Sequence, residues 1–337
     1  MPAFGVEFRQ EVETTQGAPK ADVVRPFPSW ASTLAVAVFF AAQLGCEDSG
    51  TDPVLKVENV TAWKIPAMGP RLPGPRSVAV APNDEVVLLD NGGRVLVYSS
   101  GGELRRQWEM PEHDIGRPEG VVVLEDGRIV VCDTHYYRVV VFHPDGSVER
   151  MFGSYGNEEG QFVYPVAITA DADGNLYVGE YGGNDRIQVF RPDGTFVRQF
   201  GSFGTEPGQF QRPSGIAWHD GKVIVADAVN NRIQKFSDQG DLLGIISSLA
   251  LGLNFPYDLG LATNGTFFVI EYGAGRITHM DQSGTVLGRF GTTGRGPEQF
   301  VTPWGIGVDS QNRLRIADTG NRRVIAMDAI ISTGGGD

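Results

Sequence analysis

His113, Glu119, His135 and Asp258 are the side chains through which this 337-residue chain could hold a metal ion. A catalytic zinc needs three protein ligands and an open fourth position, and calcium needs several converging oxygens. Of the five histidines, His143, His219 and His279 fall in expected turn or strand-interior positions away from the other two, so a three-histidine zinc site is one ligand short. No cofactor is expected, with zinc or calcium the ions that these donors would suit. There is no Ser-His-Asp elbow, Gly-rich phosphate loop or Cys-x-x-Cys pair, so no catalytic residue is assigned.

A second set suits contact rather than bond making: Arg76, Glu119, His135, Tyr136, Tyr181, Tyr257, Asp258, Tyr272 and Trp304. Aromatic faces mixed with Arg, Glu and Asp can bind a peptide, a glycan or a small polar ligand. The plainer reading is that these aromatics only cover turn ends.

What positions these residues is a repeat. Six prolines (Pro75, Pro118, Pro165, Pro213, Pro256 and Pro303) each introduce an apolar run. Each run leads to an acid, in turn Asp90, Asp133, Glu180, Asp227, Glu271 and Asp318, and then to Arg94, Arg138, Arg186, Arg232, Arg276 and Arg323. Each series advances by 43 to 48 residues per step, filled with short alternating strands and turn residues rather than helical spacing. That period is expected of propeller blades, and the 45 glycines recur in it as turn punctuation.

In the third repeat, strands are expected around residues 166–170, 175–180, 186–190 and 195–200, turned at Asp173-Gly174 and Pro192-Asp193-Gly194. Such a unit cannot bury both faces alone, so neighbouring blades must cover it. Small residues (Ser77, Gly120, Ala167, Gly215, and Gly305, with Asp258 the exception) follow the prolines at one register and are expected at a crowded central channel. The next residues, Val78, Val121, Ile168, Ile216, Leu259 and Ile306, are expected between blades. The residues just after the prolines, including Arg76, Glu119, Tyr257 and Trp304, then ring the channel mouth.

The phrases Asn230-Asn231-Arg232-Ile233-Gln234-Lys235-Phe236 and Asp318-Thr319-Gly320-Asn321-Arg322-Arg323-Val324 resemble NHL repeats, and the resemblance covers roughly residues 55 to 328. It implies an all-β, six-bladed β-propeller. A strand-like segment at residues 57–65 precedes the first proline, whereas the sixth repeat stops after its third strand, so the N-terminal strand is expected to complete the last blade. Six-bladed peptidyl-amidoglycolate lyases share such repeats and use a histidine-bound metal at the mouth; lactonase-like propellers use a carboxylate and amide cluster. The repeated acids and arginines are expected to hold turns.

Residues 30–42 are an uncharged run too short to span a bilayer of about 20 residues, which suits a signal h-region. Gln43-Leu44-Gly45-Cys46 resembles a lipobox, which implies lipidation of Cys46. The acidic stretch upstream suits no signal, so translation is expected to begin near Val23 or Val24. The expected organisation is a targeting segment at 1–45, a tether at 46–53, the propeller at 54–328 and a tail at 329–337. The formal charge of −13 opposes nucleic-acid binding. Cys132, in a strand, is expected to be buried, inert and without a disulfide.

The expected function is that of a monomeric, lipid-anchored platform of the bacterial cell envelope, in the periplasm or at the outer membrane, that binds a protein, peptide or glycan. The alternative is a metal-dependent lyase or hydrolase, peptidyl-amidoglycolate lyase-like or lactonase-like, with its site at the channel mouth.

Overall fold

The computed structural model describes residues 53–112, 114–246 and 252–331. Cys46, the tetrapeptide around it and the targeting segment lie outside those residues, as does His113.

Among the described residues six antiparallel four-stranded sheets form, the first five each from one repeat. The first blade consists of Pro75–Val80, Val86–Asp90, Arg94–Tyr98 and Leu104–Glu109. The third consists of Tyr164–Ala170, Leu176–Tyr181, Arg186–Phe190 and Phe196–Phe200, close to the spans read from the sequence. The second and third strands of a blade are covered on both faces, which is why Ile129–Asp133 and Arg138–Phe142 read as nearly unbroken apolar runs. Outer strands such as Leu104–Glu109 alternate between half-buried and exposed residues.

In the sixth sheet, Gly305–Val308, Arg313–Asp318 and Arg323–Ala329 are followed by Val57–Lys64, which pairs antiparallel with Arg323–Ala329 as the outer strand. The inner strands touch in sequence around the axis, and the first touches the sixth. The chain just before Val57 also reaches the fifth blade, where the Leu55 amide donates to the Arg289 carbonyl at 2.9 Å.

The core lies between blades. Val78, Val121, Ile168, Ile216, Leu259 and Ile306 each join an apolar cluster shared with the preceding blade. The small series faces the other way, and its crowding comes from the next blade's backbone rather than from the channel alone. A Cβ on Gly120 would lie 2.8 Å from the Val166 carbonyl, and one on Gly215 would lie 2.6 Å from Asp258 Cα. Inner strands thus approach too closely for larger side chains.

A second contact repeats at the rim. An outer-strand side chain packs on the turn glycine of the next blade: Trp63 on Gly102, Trp108 on Gly146, Phe152 on Gly194, Phe200 on Gly240 and Ile246 on Gly284. Trp63 lies on Val57–Lys64, so the N-terminal strand makes the same contact as the other outer strands. Between blades, the loops ending in Phe162, Phe210 and Phe300 form short parallel bridges and sink those rings completely into the core.

Candidate functional site

The six repeated acids are buried and form ion pairs with the six arginines, at distances between 2.6 and 2.9 Å. Most of these clamps also tie down the loop entering their own blade. Asp227 Oδ1 accepts from the Gln211 amide at 2.7 Å, while Arg232 donates to the carbonyls of Thr205, Glu206 and Gln209. Glu180 with Arg186 and Asp318 with Arg323 repeat the arrangement. These groups satisfy loop backbone, which explains their recurrence without any chemistry.

The channel mouth breaks the repeat. Glu119, buried on the second blade, pairs with Arg76 through Oε1 and accepts from Arg212 Nη2 through Oε2 at 3.2 Å. The same Nη2 donates to the Tyr257 hydroxyl at 2.7 Å, and that hydroxyl donates to Glu119 Oε2 at 3.4 Å. Arg76 lies over the Trp304 ring at 4.3 Å and Arg212 over the Tyr181 ring at 4.3 Å, so both cations rest on aromatic faces. Tyr257 packs against Trp304 at 5.2 Å and Tyr272 at 5.7 Å.

Burial works against the Arg212 charge, but the Tyr257 phenol, Glu119 and Tyr181 more than offset it, and its pKa is raised. Burial, with Glu119 beside it, pushes the Tyr257 phenol up, so it stays a neutral donor. Beneath the mouth runs a cavity of about 210 Å³ walled by the inner strands, with Glu119, Tyr257, Asp258 and Trp304 contributing. Burial in that channel pushes Asp258 up to about 7, against the pull of the Ile306 and Leu259 amides that its two oxygens accept.

The family description "NHL repeat" matches residues 116–142 and 210–236, which hold the acid-arginine clamps of the second and fourth blades. The chain carries NHL repeats on a six-bladed propeller. It is 26% identical to the human NHL repeat-containing protein 3 over 107 residues, which are 28% of this chain and 31% of that protein. The chain therefore matches about a third of that relative's length. Among solved structures, a gluconolactonase from Xanthomonas campestris superposes with a TM-score of 0.64 at 14% identity, covering 84% of this chain and 96% of the other. A virginiamycin B lyase from Staphylococcus aureus gives 0.57 at 15% identity, covering 81% and 100%. At such identities the likeness is one of fold.

The NHL propeller brings Arg76, Glu119, Tyr181, Tyr257, Tyr272 and Trp304 into one cluster. His135 sits beside it, its ring 5.7 Å from Tyr164, which stacks on Tyr181 at 5.1 Å. Tyr136 is used differently: its hydroxyl accepts from the Asp114 amide at 2.9 Å and its ring lies under Arg138. It is a loop fastener rather than a rim contact.

Arg212 was not legible as a site residue. It precedes Pro213 and has φ 62, a left-handed conformation that no repeated residue type announces.

The candidate donors Glu119, His135 and Asp258 do not converge on an ion site, and His113 lies outside the described residues. Among the described residues no group of three His, Cys, Asp and Glu side chains could hold an ion. Glu119 is committed to two arginines, Asp258 to two amides, and His135 Nδ1 accepts from the Arg117 amide at 3.4 Å. These residues do not fit a zinc or calcium centre. Cys132 is fully buried and unpaired, and burial raises its thiol pKa well above the ordinary value.

Proposed function

We propose that this NHL propeller is a binding platform of the bacterial cell envelope, held by a lipid on Cys46 and acting as a monomer. Its channel mouth contacts a protein, peptide or carbohydrate ligand. One observation carries this reading: two arginines are seated on aromatic rings around a single carboxylate where the repeats differ from one another. Those arginines are not clamp residues. Aromatic and arginine side chains are also the types that concentrate binding energy at protein surfaces. The signal-like run at 30–42 and the lipobox-like Gln43-Leu44-Gly45-Cys46 support the envelope address. The metal-dependent lyase or hydrolase is supported only by likeness of fold to a gluconolactonase and a virginiamycin B lyase at 14% and 15% identity.

The test is capture from envelope extracts by the wild-type chain, by Trp304→Ala with Tyr181→Ala, and by Leu243→Ala on an outer strand as a control. Partners lost only by the mouth variant would support the platform. Capture unchanged by the mouth variant, or stoichiometric zinc in the purified protein with turnover of a lactone, would overturn it.

A further inference from the structure

We infer that the mouth captures the free C-terminal carboxylate of a peptide whose last residue is apolar, with Arg76 and Arg212 receiving the carboxylate and the last side chain entering the channel. This rests on the platform reading and narrows it to one ligand class.

Charge argues first. The chain carries −13 overall, yet the mouth sets two guanidiniums beside Glu119, each resting on an aromatic face. Each guanidinium also keeps an unused donor: Arg76 Nε and Arg212 Nε are buried with no hydrogen-bond partner. A guanidinium binds a carboxylate best through a two-donor fork, and here Nη2 of each arginine serves Glu119 while Nε serves nothing. A second carboxylate competing with Glu119 would complete both forks. Buried donors without partners in a native protein call for an explanation, and a ligand acceptor supplies one.

Size and polarity of the channel argue next. At about 210 Å³ the cavity is smaller than the roughly 300–1,000 Å³ typical of small-molecule pockets, so it suits one side chain rather than a whole sugar. Its walls include Val78, Ile168, Ile216, Leu259 and Ile306. Of its polar side groups, Ser214 donates to the Tyr257 carbonyl at 2.8 Å and Asp258 accepts from two amides. An aliphatic side chain needs no hydrogen-bond partner there. Trp304, Tyr272 and Tyr181 then flank the preceding peptide residues.

The experiment titrates the full chain with N-acetyl-Ala-Ala-Leu as the free acid and as the C-terminal amide, by calorimetry. The free acid should bind at least about tenfold more tightly than the amide, because only the acid pairs with both cations. Arg76→Gln should lower affinity for the acid by a similar factor and leave the amide unaffected, and Arg76→Lys should keep part of it. Should Arg76→Gln fail to fold, the acid-to-amide ratio on the wild-type protein still decides. Equal affinity for acid and amide, no binding of either at about 1 mM, or octanoate binding as tightly as the peptide would overturn the inference. Mouth-dependent capture from extracts would survive those results, so the platform and its ligand class fail separately.

Discussion

Arg212 and Glu119 lie on different blades, 93 residues apart in sequence, and meet at 3.2 Å across the mouth of the channel. The pair joins the fourth blade to the second, with Tyr257 of the fifth blade closing the triangle and Tyr181 of the third lying against the Arg212 guanidinium.

If that contact contributes to stability, a double-mutant cycle with Glu119→Gln and Arg212→Gln should give a coupling energy of about 1 kcal/mol or more, read from urea denaturation. Each single change should cost about 1–3 kcal/mol, because Glu119 is buried and its loss strands a cation. Additive effects would show that the two side chains are neighbours without energetic consequence.

Gly146 has φ 91, and an added Cβ would lie 2.6 Å from the Trp108 ring. Gly146→Ala should therefore combine a left-handed backbone penalty of about 1–2 kcal/mol with an overpacking cost of about 1–3 kcal/mol. Gly160 has φ 77 but open space around it, so Gly160→Ala should show only the first. Equal losses in denaturation midpoint would remove the packing role of the Trp108 contact.

Asp258 gives the fold a pH dependence of definite sign. In the unfolded chain it loses its proton near the ordinary 3.8, whereas in the channel it holds it up to about 7. Between those values the native state binds more protons than the unfolded one, so this group's contribution falls as pH rises from about 4 to about 7 and is constant above that. Water reaching Asp258 through the channel screens part of the effect, leaving on the order of 1–2 kcal/mol. Subtracting the stability of Asp258→Ser from that of the wild type across the window should isolate this slope. A difference that rises with pH would contradict it.

Removing residues 53–64 should lower the melting temperature far more than any single outer-strand substitution. It exposes the edge of Arg323–Ala329 and takes away Leu55 and Trp63, one buried and one packed on Gly102. Burying a large apolar side chain stabilises by about 1.5–3 kcal/mol, before the lost ladder is counted. An unchanged melting curve by circular dichroism would mean that the sixth blade does not need its fourth strand.

The repeated features were legible because each one answers a backbone demand that recurs in every blade. Asp227 and Arg232 could be read as loop clamps from spacing alone, and the branched residues beginning at Val78 as packing between blades. The mouth was only half legible. A register shift separates Pro75 from Ser77, and likewise in the third, fourth and fifth blades, so simple alternation does not fix where the residue after each proline points. Arg212 was hidden because the position before each proline holds Gly74, Arg117, Tyr164, Arg212, Phe255 and Thr302, which share no chemistry. Tyr136 looked like Tyr181 in sequence, but the short helical turn at Thr134–Tyr136 directs it to a loop amide instead.

The strand Val57–Lys64 leaves the ribosome before any of the sheets exist, yet its partner is synthesised nearly last; Asn59 and Asp328, hydrogen-bonded across the two, are 269 residues apart. That strand must therefore wait without a mate while five blades take shape, an exposed β-edge that invites capture by a chaperone or by another nascent chain. The same strand is the one on which any mechanical load applied from the N-terminal side would fall, so pulling there would peel the sixth sheet before disturbing the others.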